Sequence, residues 1–172
     1  TLHLTHHNSD IFSHLAPNTL LIHACNTRGV WGSGIAKAFK QTYPCAYETH
    51  RAFCVAQKTA GRDIVGTAQL IRTDERQGED GHGGGVWVAC LFTSRLYGKR
   101  RDAPGEIVRN TVRAVEMLLE LVEKAEHAGY EVGEVRMCKV NSGKFGVEWG
   151  VTEAALREIH VRAGWRGGIG VW

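Results

Sequence analysis

The stretch HACNTRGVWGSGIAKAFKQTYP, residues 23–44, decides how the whole chain is read. It starts as the end of an apolar strand carrying His23 and Cys25, then turns at Asn26 into a loop holding Gly29, Trp31, Gly32 and Gly34. A helix follows and stops before Pro44. Glycine has no Cβ, so a ligand or another backbone can lie directly against it. Three glycines at one strand-to-helix junction imply that something does. A second junction of the same kind lies at NSGKFGVEWG, residues 141–150, after the apolar MCKV. In each loop several backbone N–H groups can converge on an anion, and a helix N-terminus adds its partial positive charge. Two such loops, each opening with Asn, suit the two sides of a diphosphate. Either loop alone is equally well read as a tight turn that uses Gly at positive φ.

Around these loops, apolar strands alternate with amphipathic helices. TLHLT (1–5), TLLIHAC (19–25), IVGTAQLIR (64–72), GVWVACLFTS (85–94), EVRMCKV (134–140) and GGIGVW (167–172) are the expected strands. TLLIHAC is continuously apolar, the mark of a strand buried on both faces. Ile107, Val108, Val112, Val115, Leu118, Leu119 and Val122 line one face of a helix over about 105–128, closed by Gly129. SGIAKAFKQTY, CAYETHRAFCVAQKT and VTEAALREIHVRA supply three more. The polar, glycine-rich 73–85 segment reads as a mobile hairpin connection. The expected fold is therefore α/β: a three-layer α/β/α sandwich with a mixed central sheet of about six strands, in one domain spanning 1–172. Ligand loops belong at the carboxyl ends of its strands.

Composition narrows the function classes. With 43% hydrophobic and 23% charged residues the chain has the make-up of a globular protein. It has no apolar run near the ~20 residues a membrane span requires, and no signal-peptide pattern at Thr1. A net charge of +3 does not make nucleic acid an expected partner; Lys99, Arg100 and Arg101 read as a solvated loop. Five cysteines without a CxxC pair read as reduced, mostly buried thiols of an intracellular protein, cytoplasmic or nuclear. His3, His6 and His7 lack a thiol or carboxylate framework at zinc spacing, so no metal is expected. Familiar nucleotide motifs fail as well. GSGIAK places Lys37 where the last small residue of G-x-G-x-x-G belongs, and SGKF lacks both the Ser or Thr and the first glycine of a P-loop.

Four segments in the right order, SDI (9–11), HACN, WGSGIAKAF before YP, and NSGKFGVEW, resemble the macrodomain family of ADP-ribose-binding α/β/α modules. The likeness spans nearly the whole chain and is closest to the fungal ADP-ribose 1″-phosphate phosphatases. It implies ADP-ribose and ADP-ribose 1″-phosphate as ligands, ADP-ribosylated proteins as a further partner class, no cofactor, and a monomer. By resemblance, Asp10 meets the adenine amino group, with the Ile11 N–H beside it, and Asn26 contacts the distal ribose. Gly32, Ser33, Gly34 and Ile35 line the distal ribose and diphosphate. Asn141, Ser142, Gly143, Lys144, Phe145, Gly146 and Val147 form the loop that closes over the phosphates. Asp10 alternatively caps its own turn. Trp31 is read as a lid on the distal ribose in preference to a core plug.

His23 carries the catalytic question. An imidazole three residues ahead of Asn26 either activates water for attack on a phosphomonoester or is a core histidine bonded to backbone. The first reading makes the protein a phosphatase that converts ADP-ribose 1″-phosphate, a by-product of tRNA splicing, to ADP-ribose and phosphate. Two alternatives share the pocket: a reader that binds ADP-ribose without chemistry, and a hydrolase that removes ADP-ribose from modified proteins. The late loop has Phe145 where the latter chemistry calls for an acid.

Overall fold

The computed structural model describes residues 1–74 and 85–172. In chain order it contains β1 (His3–His6), β2 (Leu20–Asn26), α1 (Gly34–Thr42), α2 (Pro44–Thr59), β3 (Ala68–Thr73) and β4 (Val86–Ser94). These are followed by a 3₁₀ turn (Gly98–Arg100), α3 (Pro104–His127), β5 (Val135–Met137), α4 (Trp149–Arg157) and β6 (Gly168–Val171). The strands form one mixed sheet in the order β1-β6-β5-β2-β4-β3. Five are parallel, and β3 joins the edge antiparallel to β4. The antiparallel pairing agrees with the hairpin expected between these two strands; the mobility expected of its connection falls on residues 75–84, outside the described residues.

Helices cover both faces, because strand side chains alternate and the central strands β2 and β4 are largely apolar on both sides. Leu20 and Ile22 of β2 point into one core with Leu118 and Leu119 of α3 and Leu156 of α4. Leu21 and Cys25 point into the other, with Phe39 of α1 and Ala46 and Cys54 of α2. α3 presents its predicted apolar face to the first core and ends at Gly129, whose φ of 90° suits only glycine well. No helix among the described residues is long and apolar enough to cross a membrane.

Three elements differ from expectation, each for a local reason. Residues 64–67 form a turn before β3, closed by the Thr67 hydroxyl donating to the Ile64 carbonyl and by Gly66 at φ 75°. β5 pairs over only three residues, and beyond it Cys138 and Trp172 make single backbone contacts with Ile22 and Met137. α4 spans 149–157 rather than 151–163, after which the chain folds back so that the Leu2 N–H bonds the Ile159 carbonyl.

The parallel arrangement has one consequence for function. Strands running the same way place their carboxyl ends, and so the loops after β1, β2, β4 and β5, along one edge of the sheet.

Candidate functional site

A cleft of about 760 Å³ opens at that edge. Ala24, Cys25 and Asn26, at the end of β2, form part of its lining. One wall is Val30 and the run Gly32–Ala36; the other is Cys138–Asn141 with Gly143, Lys144 and Phe145. Tyr97 and Gly98, from the loop after β4, complete the lining.

The first wall is held by Asn26, whose side-chain N–H donates to the Val30 carbonyl at 2.8 Å while its oxygen accepts the Arg28 N–H at 2.9 Å. The loop then runs into the N-terminus of α1, where Ser33 makes no side-chain cap. The N–H groups of Gly34, Ile35 and Ala36 have no acceptor among the described residues, so the end of the helix dipole is open to an anion. Gly34 sits at φ 58°, and a Cβ built there meets nothing within 4 Å. That space is open.

The second wall turns on Asn141, a left-handed residue at φ 69°. Its side-chain N–H donates 2.8 Å to the Thr111 hydroxyl of α3, and its carbonyl accepts the Val147 N–H, closing the loop. The side-chain oxygen is buried without a partner among the described residues. The N–H groups of Gly143, Lys144 and Phe145 are free of protein acceptors among the described residues. The guanidinium of Arg101 lies against Gly146, joining this wall to the loop after β4.

Of the residues singled out from the sequence, Asn26, Gly32, Ser33, Gly34, Ile35, Asn141, Gly143, Lys144 and Phe145 line the cleft together. Ser142, Gly146 and Val147 belong to the same loop but not to the lining; the Ser142 hydroxyl donates to the Lys139 carbonyl and Val147 is buried. Asp10 and Ile11 lie on the loop after β1, outside this cavity. The Asp10 carboxylate accepts the Phe12 N–H at 2.9 Å, which is the turn-capping role, while the Ile11 N–H has no acceptor among the described residues.

Two expectations require correction. Trp31 is a core plug and no lid: it is 1% exposed and packed among His23, Phe39, Tyr47 and His50. The aromatics at the cleft are Tyr97, half-exposed, and Phe145. His23 does not reach the cleft. Its ring is fully buried, stacked on Phe39 at 4.1 Å, with Cys25 Sγ 3.7 Å from its nitrogens and Cys90 Sγ 4.0 Å from Nε2. Alternation along β2 explains this, since an odd-numbered neighbour of Leu21 must face the α1 side of the sheet. His23 is the core histidine, bonded to thiols in place of backbone.

His23, Cys25 and Cys90 also bring three metal-ligating atoms within 4.8 Å of one another. Burial, reinforced by Cys90, pushes the Cys25 thiol up, so it remains protonated and packs as a neutral group. Burial likewise pushes the Cys138 thiol up to about 12. Neither cysteine in the cleft is a thiolate nucleophile at neutral pH.

Sequence reasoning missed Tyr97, Lys139 and the anchoring partner Thr111. A signal existed for Tyr97, which stands beside Gly98 in a loop directly after the fully buried strand β4.

A cleft at the carboxyl ends of parallel strands, with free backbone N–H groups on both walls, is suited to an anion. The family model described as "Macro domain" matches residues 22–156, and the chain belongs to that family. It is 43% identical to an ADP-ribose 1″-phosphate phosphatase of Chaetomium globosum over 95% of this chain and 87% of that one. It is 39% identical to the Aspergillus oryzae protein of the same name, over 80% of each. Among solved structures, the macrodomain of Mycobacterium tuberculosis DarG superposes with a TM-score of 0.68 at 16% identity, covering 99% of this chain and 98% of that one. Thermosipho africanus DarTG in complex with ADP-ribose gives 0.67 at 20% identity, over 99% of this chain and 42% of the other. These two likenesses concern the fold.

Proposed function

We propose that the protein hydrolyses the terminal phosphate of ADP-ribose 1″-phosphate, giving ADP-ribose and inorganic phosphate. The observation that carries this reading is a cleft with unpaired backbone N–H groups on both walls, Gly34–Ala36 against Gly143–Phe145, joined by Lys139 and Lys144. No carboxylate or imidazole lines it among the described residues. Such a surface selects polyanions. The names of the fungal relatives support the choice of substrate.

The residues define what catalysis can draw on. Phosphoryl transfer passes through a loose transition state that spreads negative charge over the phosphoryl oxygens, so positioning and electrostatic stabilisation dominate. Fixed amides and two lysines supply both without reorganising at the moment of reaction. Attack by water forms the new P–O bond as the bond to the anomeric oxygen breaks, and that oxygen leaves on ADP-ribose. With no side-chain base in the lining among the described residues, one water proton stays on the new phosphate as its O–H and the other passes by way of a phosphoryl oxygen, whose second pKa is about 6, to the departing anomeric oxygen. In this reading Asp10 and the Ile11 N–H take the adenine edge.

One observation favours a second reading: a lining without side-chain acid or base among the described residues also fits a module that binds ADP-ribose without chemistry. Release of inorganic phosphate from ADP-ribose 1″-phosphate by purified protein, in chelator, decides between them. Turnover that depends on protein concentration and is competed by ADP-ribose supports the phosphatase. Tight ADP-ribose binding without phosphate release makes the protein a reader.

A further inference from the structure

Arg136 is a buried charge that the cleft does not explain. It projects from β5, is 7% exposed, and commits all three guanidinium nitrogens. Nη1 donates to the carbonyls of Ile11 at 3.3 Å and Ser13 at 2.7 Å, and Nη2 to that of His14 at 3.2 Å. Nε donates to Glu134 at 2.8 Å, which also supplies the balancing charge. The guanidinium lies 4.6 Å from the centre of the Trp172 ring. Trp172 is fixed in turn, stacked on His7 at 4.0 Å and donating its indole N–H to the Ser9 hydroxyl.

Desolvating a guanidinium is costly unless all its donors are satisfied. Here the satisfying groups are mostly carbonyls of one short turn, residues 11–14, that belongs to no helix or strand and includes His14 at φ 50°. With three carbonyls drawn to one cation, the groups in this segment left without partners among the described residues include the Ile11 N–H and the second Asp10 carboxylate oxygen. A carboxylate oxygen beside an N–H donor complements an aminopurine edge, which offers an N–H donor beside a ring-nitrogen acceptor. The segment lies outside the enclosed cavity, so its fit to a base depends on how firmly its shape is fixed beforehand.

We propose that Arg136 is the positioning residue for nucleobase recognition, moulding the 10–14 turn into an adenine-reading edge without touching the ligand. The inference rests on the proposed ADP-ribose site, and specifically on Asp10 and Ile11 facing the base. It divides the site in two: phosphate affinity comes from the two glycine loops, and base discrimination from a turn held by Arg136, with Trp172 as its backing.

The test measures the affinities of ADP-ribose and IDP-ribose by calorimetry for wild type, Arg136→Lys, Trp172→Leu and Asp10→Ala, with melting temperature as the fold control. IDP-ribose lacks the amino donor. Arg136→Lys keeps the charge but loses the planar fork, and should weaken ADP-ribose about tenfold or more while IDP-ribose changes less than about threefold. The preference between the two ligands then collapses, KM for ADP-ribose 1″-phosphate rises, and kcat stays within about twofold. Trp172→Leu should move the preference the same way by a smaller factor, and it decides the matter should Arg136→Lys fail to fold. A preference that survives in both variants, or equal weakening of both ligands, overturns the inference. The Asp10→Ala arm separates the failures. If Asp10→Ala keeps the preference, the base-site reading itself falls and takes this inference with it. If it loses the preference while the Arg136 and Trp172 variants retain it, only this inference falls.

Discussion

The two walls of the cleft are built from similar sequences by opposite means. The 26–36 loop sends its bulky residue inward. Trp31 packs with His23 and Phe39 in the core, both polar ends of the Asn26 side chain staple the turn, and the loop passes directly into α1. The 141–147 loop sends its bulk outward. Ser142, Gly143 and Lys144 are exposed, Phe145 is half-buried, and one hydrogen bond from Asn141 to Thr111 ties the side-chain framework to α3. A loop with a buried tryptophan opens only with the core, whereas a loop with few buried contacts opens locally at lower free energy. In the proposed reading the first wall is thus a fixed template for the diphosphate, and the second a cover that settles against it on binding, before the reaction.

The comparison is most sharply tested by filling the cleft from either side. Gly143→Val and Gly34→Val should each weaken ADP-ribose by more than about 100-fold, since neither Cβ position has a neighbour within 4 Å and the branched side chain takes the space of the phosphates. Their melting temperatures should differ. Gly34 stands at φ 58°, where a β-branched residue is strained by roughly 1–2 kcal/mol, and Gly143 is outside the left-handed region. Equal melting losses would erase the distinction between template and cover.

Next in size is the core behind the first wall. His23→Ala should cost about 2–4 kcal/mol of stability, as a large buried ring is lost from between Phe39 and Cys25. Turnover per folded molecule and the shape of the pH–rate profile should match wild type, because the ring touches neither cleft nor substrate. A lost limb in that profile, with stability intact, would restore His23 as a catalytic base.

The smallest effect is expected at the hinge of the second wall. Asn141→Ala should destabilise by about 1–2 kcal/mol, combining the lost hydrogen bond with left-handed strain. Amide exchange should quicken in residues 142–146 and not in 29–36. Exchange rising in both loops would show that they open as one unit.

Much of the fold was legible because it depends on local periodicity. Continuous apolar runs marked β2 and β4, a 3.6-residue stripe marked α3, and the two Asn-Gly loops marked the walls of the cleft. Their boundaries erred where single hydrogen bonds decide them, as at Gly66 and after Met137. The adenine-side role of Asp10 came from resemblance, and its turn-capping bond was equally legible from the residue type.

What the sequence determined by itself is the class of fold and the chemistry of the loops, because both follow from residue types at short spacing: glycines where backbone must be bare, apolar residues where strands are covered. Which way a side chain faces was decided only by the tertiary structure. Trp31 lies within the 26–36 loop and His23 three residues before it, yet strand alternation at His23 and the space beside Phe39 turn both into the core. The same holds for Arg136, Tyr97 and Thr111. They are remote in sequence from the residues they serve, and only parallel strand packing brings the ends of β1, β2, β4 and β5 to one edge, where such distant groups meet.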